Sequence, residues 1–453
     1  MQKNNTDWLN SKPIFYNDKT KKVSFNINDV IDYRNLEFHP EGLINYLDFG
    51  YSVFQQTPVR NVRFLKHSSE IIKTDANEII ITNSEDNSLE LIQRRTNEND
   101  VISLLENEVQ KWEKQTSGTI IIPTSGGYDS RLLNLMISDK SRIRAFTYGI
   151  SDDQSKSFEV VLAKKVTEVL GIKWSQIPLG EYHHFIDDWY TLFGVSSHAH
   201  GMYHIEFYQK IIKQIGSGHL LLSGFMGDAW AGAVNINKVD SIKSLDLLGY
   251  SHGMRADSNF CKLKSNAEIK QEYFEKNREL LKDPRYRVLE AMRMKAILLC
   301  YLFKVPESLN LNSWSPFLNQ EISLAMLSLP EERKRNRVWQ KELFLKHNLD
   351  VENSKLEFSR QNTLDLQALG RVKLKPLNVK LLNELFESRY IEWINKSISE
   401  RGTASRFMFE VGKIHKIGGL LRKMGYSDSK LKAYNAYLTV KPIELLIEKR
   451  NKS

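Results

Sequence analysis

The most constraining feature of this chain is an apolar run, Thr119-Ile120-Ile121-Ile122-Pro123, that leads through Thr124 into Ser125-Gly126-Gly127-Tyr128-Asp129-Ser130. The run is β-branched and too short for a helix, so it reads as a buried strand. Leu132, Leu133, Leu135 and Met136 then recur as in a helix. A strand feeding a glycine turn and a helix is an anion site by construction. The glycines let the backbone approach closely, and the helix N-terminus offers unpaired N–H groups. Ser125 and Ser130 add hydroxyl donors. Asp129 would repel a phosphate, so its expected role is to bind Mg²⁺ bridging phosphate oxygens. The loop has no Gly-Lys-Ser/Thr ending, which separates it from a Walker A sequence, and it is not a dinucleotide fingerprint. A merely capped glycine turn is the plain alternative.

Three zones are legible. From about residue 8 to 93 the chain reads as short β segments, with strands expected at Pro13–Tyr16, Val23–Ile27 and Ile79–Thr82, and a polar boundary over Asn83–Leu89. Val101, Leu104, Leu105, Val109 and Trp112 predict a helix over Glu98–Thr116. After the loop come a strand at Ile143–Gly149, an amphipathic helix at Ser157–Leu170 ended by Gly171, and strands at Lys173–Leu179 and His219–Ser223. Alternating strand and helix predicts an α/β fold, a parallel sheet with helices on both faces. From Asn266 onward the pattern is helical.

Composition narrows the classes. The chain has 453 residues, 41% hydrophobic and 26% charged, which suits a globular protein with a full core. The longest apolar run, Ala296–Phe303, is too short to span a bilayer, and the first residues carry no apolar signal segment. A cytoplasmic location without membrane insertion is expected. Cys261 and Cys300, the two cysteines, lack metal or disulfide spacing. The net charge of +9 is dispersed. The densest basic stretch, Arg333-Lys334-Arg335-Asn336-Arg337, has no interleaved aromatics, so anionic small substrates are expected and nucleic acid is not.

The loop matches the Ser-Gly-Gly-x-Asp-Ser pyrophosphate loop of N-type ATP pyrophosphatases (PP-loop, HUP-like), and the chain resembles the synthetase domain of the asparagine synthetase B family. Phe146-Thr147-Tyr148-Gly149 is similar to that family's second, adenine-receiving strand. Glu159 falls where the family has an Asp-Glu pair, with Phe158 as its neighbour. Ser223-Gly224-Phe225-Met226-Gly227-Asp228 resembles the second signature, with the glycine displaced by one place. Pro316-Phe317-Leu318 and Ser328-Leu329-Pro330 resemble later motifs, and Lys341 follows where the family has a transition-state lysine. The resemblance covers about residues 95 to 350. Lys12–Tyr16 and His39–Tyr51 resemble the later part of the family's glutaminase domain. Its nucleophilic cysteine has no counterpart: residue 2 is Gln2, and no cysteine precedes Cys261.

The resemblance implies an ATP-dependent, AMP-forming carboxylate–amine ligase with ATP and Mg²⁺ as cofactors. Its acceptors would be ammonia or a primary amine, as in sugar-acid amidation, amino acid attachment or peptide cyclisation, without glutaminase activity. Ser125, Gly126, Gly127, Asp129, Ser130, Thr147, Tyr148, Gly149, Ser223 and Gly224 would hold ATP and pyrophosphate. Asp129 and Asp228 would bind Mg²⁺ and, together with Lys341, be catalytic. Phe225, Asn312, Trp314 and Asn319 depart from the family at acceptor positions, so the substrate half is rewritten. Phe225, His198 and His200 are the candidate substrate residues, although Ser196–His204 reads more readily as a polar loop. Expected partners are a small-molecule or peptide carboxylate, an amine, and a separate ammonia-supplying or pathway protein. The expected domains are a truncated glutaminase-like, β-rich remnant of an Ntn fold over 1–93, an ATP-binding synthetase domain over 94–360, and a helical extension over 361–453. The competing reading is a degenerate member that binds nucleotide or a partner without catalysis.

Overall fold

The computed structural model describes residues 2–250, 253–353, 355–399 and 429–453. Part of the expected C-terminal extension, residues 400–428, lies outside the described residues. The strands are β1 (Gln2–Asn5), β2 (Phe15–Asn17), β3 (Val23–Ser24), β4 (Val62–Phe64), β5 (Ser69–Lys73), β6 (Ile79–Asn83), β7 (Ile120–Pro123), β8 (Ile143–Thr147), β9 (Lys173–Gln176), β10 (Leu220–Leu222) and β11 (Asn312–Trp314). They form two small antiparallel sheets, β1-β5-β6 and β3-β2-β4, and one parallel sheet in the order β11-β10-β7-β8-β9.

The parallel sheet explains the continuous apolar strands. Ile120 and Ile122 of β7 enter one core with Ile143, Leu220 and Leu222. Ile121 enters another core on the opposite face, with Phe146 and Leu221. Both faces are therefore covered, and the central runs Ile120–Ile122 and Leu220–Leu222 are buried whichever way they point, while the edge strands β9 and β11 are more open. The N-terminal segment shares the second of these cores: Leu43, Tyr46 and Phe49 pack in it alongside Ile121 and Phe146.

Local chemistry sets the helix ends. Asn97 forms a capping box with Asp100 at the start of the Glu98–Gln115 helix. Gly171 closes the Phe158–Leu170 helix in the left-handed region, with φ 66°. The expected strands at Ile143–Gly149 and Lys173–Leu179 end at Thr147 and Gln176, and two expectations differ more. The strand expected over Val23–Ile27 stops at Ser24, because the Asn26 side chain accepts from the Asn28 N–H and starts a short helix over Ile27–Val30. The helical third zone contributes β11, an edge strand whose Trp314 stacks on Trp112 at 4.8 Å and 9°. No helix among the described residues is long and apolar enough to cross a membrane.

Candidate functional site

Chain order sets where a site falls. From β7 the sheet runs through β8 and β9 on one side and through β10 and β11 on the other. The turns leaving the C-terminal ends of β7 and β10 therefore diverge from a switch point, where open α/β sheets form their crevices. The β7 turn is the Ser125–Ser130 loop, and the β10 turn is Ser223–Asp228.

The β7 loop is tied down from within and from below. Ser125 N–H donates to Ser130 Oγ at 3.3 Å, and Gly127 N–H donates to Ser125 Oγ at 3.3 Å. Gly126 has φ +70°, and a Cβ there would lie 2.5 Å from Leu162 Cβ and 2.7 Å from Ala163 N, so no other residue fits without movement. Arg131 is fully buried beneath the loop. It donates to Gly126 O at 2.6 Å and to Leu349 O at 2.8 Å, and grips both Glu352 carboxylate oxygens at 2.7 and 2.9 Å. The Tyr128–Met136 helix has Gly127 as N-cap and no side-chain cap bond, so no N-cap side chain satisfies its first-turn N–H groups.

The two turns meet at Asp129. A Cβ on Gly224 would lie 3.3 Å from Asp129 Cβ, and one on Gly227 would lie 3.1 Å from Asp129 Cγ. Asp129 Oδ1 is occluded and has no hydrogen-bond partner. Burial, and then the Asp228 charge, push the Asp129 carboxyl up to about 8, against a smaller opposing pull from Arg337. At neutral pH Asp129 is therefore mostly protonated, and it can donate to an anion instead of repelling it.

Beyond the loop lies a crevice of about 560 Å³ whose walls include Ser125, Tyr148, Glu159, His198, His204 and Lys295. Three polar atoms on these walls are occluded and unpartnered: Glu159 Oε2, His198 Nε2 and His204 Nδ1. Burial drives both His198 and His204 down to about 3, so both imidazoles are neutral. Burial also lowers Lys295 to about 8, opposed by the Asp228 charge, and its ammonium lies 3.7 Å from the Tyr250 ring centroid.

The structure sorts the expected residues. Ser125, Thr147, Tyr148, His198 and His200 line the crevice. Thr147 Oγ1 donates to Thr124 O and accepts from Trp174 Nε1 at 2.9 Å, which locks β8 to the loop. Ser223 N–H donates to Trp314 O at 2.8 Å, so it serves β11 pairing. A Cβ on Gly149 would lie 2.2 Å from Gln154 O. Asp228 is exposed. His198 Nδ1 accepts from the His200 N–H at 3.2 Å, and His200 Nε2 lies 3.3 Å from Asp365 Oδ2. Phe225 is buried against Phe303 at 4.8 Å and does not line the crevice. Lys341 is exposed on the Val338–Lys346 helix and does not line it either. Arg131, Lys295 and Arg337 were missed. For Lys295 the one sequence signal is charge set among apolar neighbours, in Met292-Arg293-Met294-Lys295-Ala296, while Arg337 closes the basic stretch Arg333–Arg337.

A family model matches the chain over residues 3–42, that of the polyphenol oxidase middle domain. No curated protein matches. The matched family points away from asparagine synthetase B, so the assignment to that family, with its truncated glutaminase region, is corrected. The AMP-forming ligase class, the asparagine synthase character and the cofactors ATP and Mg²⁺ came from that resemblance and are withdrawn with it. The geometry gives a physical reason in the case of Mg²⁺. Burial and the Asp228 charge raise the Asp129 carboxyl, which disfavours the ionised ligand that Mg²⁺ would take. Copper, which the polyphenol oxidase family uses, is not fitted either: among the described residues no group of three or more His, Cys, Asp or Glu side chains could hold a metal ion, and no step is drawn through it.

Proposed function

We propose that the crevice binds a phosphate-bearing small molecule with an aromatic ring, in chemical class a nucleotide, and that the Ser125–Ser130 loop holds its phosphate. The observation that carries this reading is the uncapped helix start behind Gly126 and Gly127 at the switch point of the sheet. Protonated Asp129 supports it, since a neutral carboxyl beside the loop can donate to a phosphate oxygen. The Tyr148 ring, packed edge-on to Tyr203 at 5.5 Å and to Phe207 at 5.2 Å, gives the crevice an aromatic wall for a base. The finer expectation for the fold, a PP-loop architecture, belongs to this proposal and rests on the same loop. The reading concerns binding and includes no chemical step.

The test is calorimetric titration of the full chain with nucleoside monophosphates and with the matching nucleosides, in buffer without divalent metal. The phosphate should tighten binding by at least about tenfold, the worth of one charge-assisted contact set. Equal affinity for nucleoside and nucleotide would remove the loop from the account.

A further inference from the structure

A second cleft, of about 420 Å³, lies away from the sheet, between the N-terminal segment and the helices Glu268–Asn277 and Pro284–Leu299. Several observations mark it as built. His67 is 8% exposed and Asn10 is 4% exposed, yet His67 Nδ1 and Asn10 Oδ1 have no hydrogen-bond partner. Nδ1 stops 3.6 Å from Asp86 Oδ2, too far for a hydrogen bond. Asp86 is committed elsewhere: Arg293 holds both its oxygens, at 2.8 and 2.9 Å, and also reaches Glu290 Oε1 at 3.2 Å. Three residues lining the cleft, Asn10, Phe54 and Gln55, have φ of 65°, 54° and 57°. For bulky Phe54 this is a costly conformation of the kind found around ligand sites.

The chemistry of the walls selects a ligand. Leu89 and Leu280, at 37% and 38% exposed, are two of the large apolar side chains left open on the surface, and both face this cleft with Met294. Lys66 and Lys276 also line it, and neither has a carboxylate within ion-pair distance among the described residues. Burial and the neighbouring cations Arg293 and Lys66 drive His67 down to about 2, so it meets a ligand as a neutral imidazole. Glu272, with Asp86 and Glu290, balances the lining cations, which disfavours a dianion.

We infer that this cleft binds a small organic monocarboxylate with an apolar body, its carboxylate on the Lys66 and Lys276 ammonium groups and its body against Leu89, Leu280 and Met294. The inference is independent of the phosphate reading of the crevice.

Titration of the full chain with phenylacetate, phenylacetamide and phenyl phosphate tests it. Lys66→Gln, Leu280→Asp and Ser125→Ala are measured alongside, with circular dichroism as the folding control. Phenylacetate should bind at least about tenfold more tightly than the other two probes. Lys66→Gln, which removes an exposed side chain without structural bonds, should cost about tenfold. Leu280→Asp should abolish binding, and Ser125→Ala should leave it unchanged. Equal binding of the amide, tighter binding of the phosphate, or no binding by any probe would overturn the inference. So would sensitivity to Ser125→Ala without sensitivity to Lys66→Gln, which would place the acid in the crevice at the sheet.

Discussion

The crevice at the sheet and the cleft beside the N-terminal segment are both lined with unpartnered polar atoms, but they are built from different materials. The crevice sets side-chain walls beside a loop made of backbone. Its loop closes on itself through Ser125, Gly127 and Ser130, and its conformation is set by a glycine that touches the next helix. Burial and the Asp228 charge raise the carboxyl of Asp129 in this loop. The cleft is made of side chains: ammonium groups on flexible stems, a salt-bridged Arg293–Asp86 frame and open leucines. A backbone site cannot be weakened gradually, because its donors belong to the fold. A side-chain site can be dismantled one group at a time.

Substitution of Gly126 should break this comparison most sharply. A Gly126→Val side chain would start 2.5 Å from Leu162 Cβ on a left-handed backbone. Nucleotide binding should fall at least about a hundredfold, while phenylacetate binding at the distant cleft persists; calorimetry on the same sample reads both. Arg131→Met comes next. It removes the fork from Gly126 O, Leu349 O and a Glu352 that is 35% exposed, and it should cost roughly 3 kcal/mol in a urea unfolding experiment.

The third prediction concerns pH. Asp129 is raised in the native state from 3.8 to about 8, so below 3.8 native and unfolded chains both hold its proton and the group has no effect on stability. Between those values the unfolded chain releases the proton that the native chain keeps, so native stability declines as pH rises, and above about 8 the full cost is present. Asp129→Asn should therefore raise the melting temperature by a few degrees at pH 9 and leave it unchanged at pH 3.5, by scanning calorimetry. For binding the sign is the same: affinity for a phosphate should fall as pH rises through about 8 in the wild type and stay flat in Asp129→Asn. The smallest effect belongs to Lys341→Ala. Lys341 is exposed and outside the crevice, so nucleotide affinity should change less than about twofold.

Much of the central sheet was legible because its inner strands are short and buried and lead into glycine or serine turns. The β7 run and its loop are the clearest case, and Gly171 marked a helix end that the structure retains. What was not legible came from long-range placement. Asn312–Trp314 looks like part of a helical zone, and only pairing with β10 makes it a strand. Phe225 stands in a motif-like turn, yet packing against Phe303 takes it into the core. The Asp129 carboxyl is raised first by burial and then by Asp228, which lies 99 positions further along the chain. Spacing in one segment cannot report the charge that another segment brings to it. The family assignment failed differently. Motif order suggested asparagine synthetase B, while the model that matches, over residues 3–42, belongs to another family.

The central claim is that a phosphate sits on the Ser125–Ser130 loop, and the amide resonances of Gly126 and Gly127 report on it most directly. In a chain labelled with ¹⁵N-glycine, a nucleoside monophosphate should shift both resonances at pH 7, and the matching nucleoside should leave them in place. Shifts caused equally by the nucleoside, or confined to glycines outside the two turns at the switch point, would contradict the account.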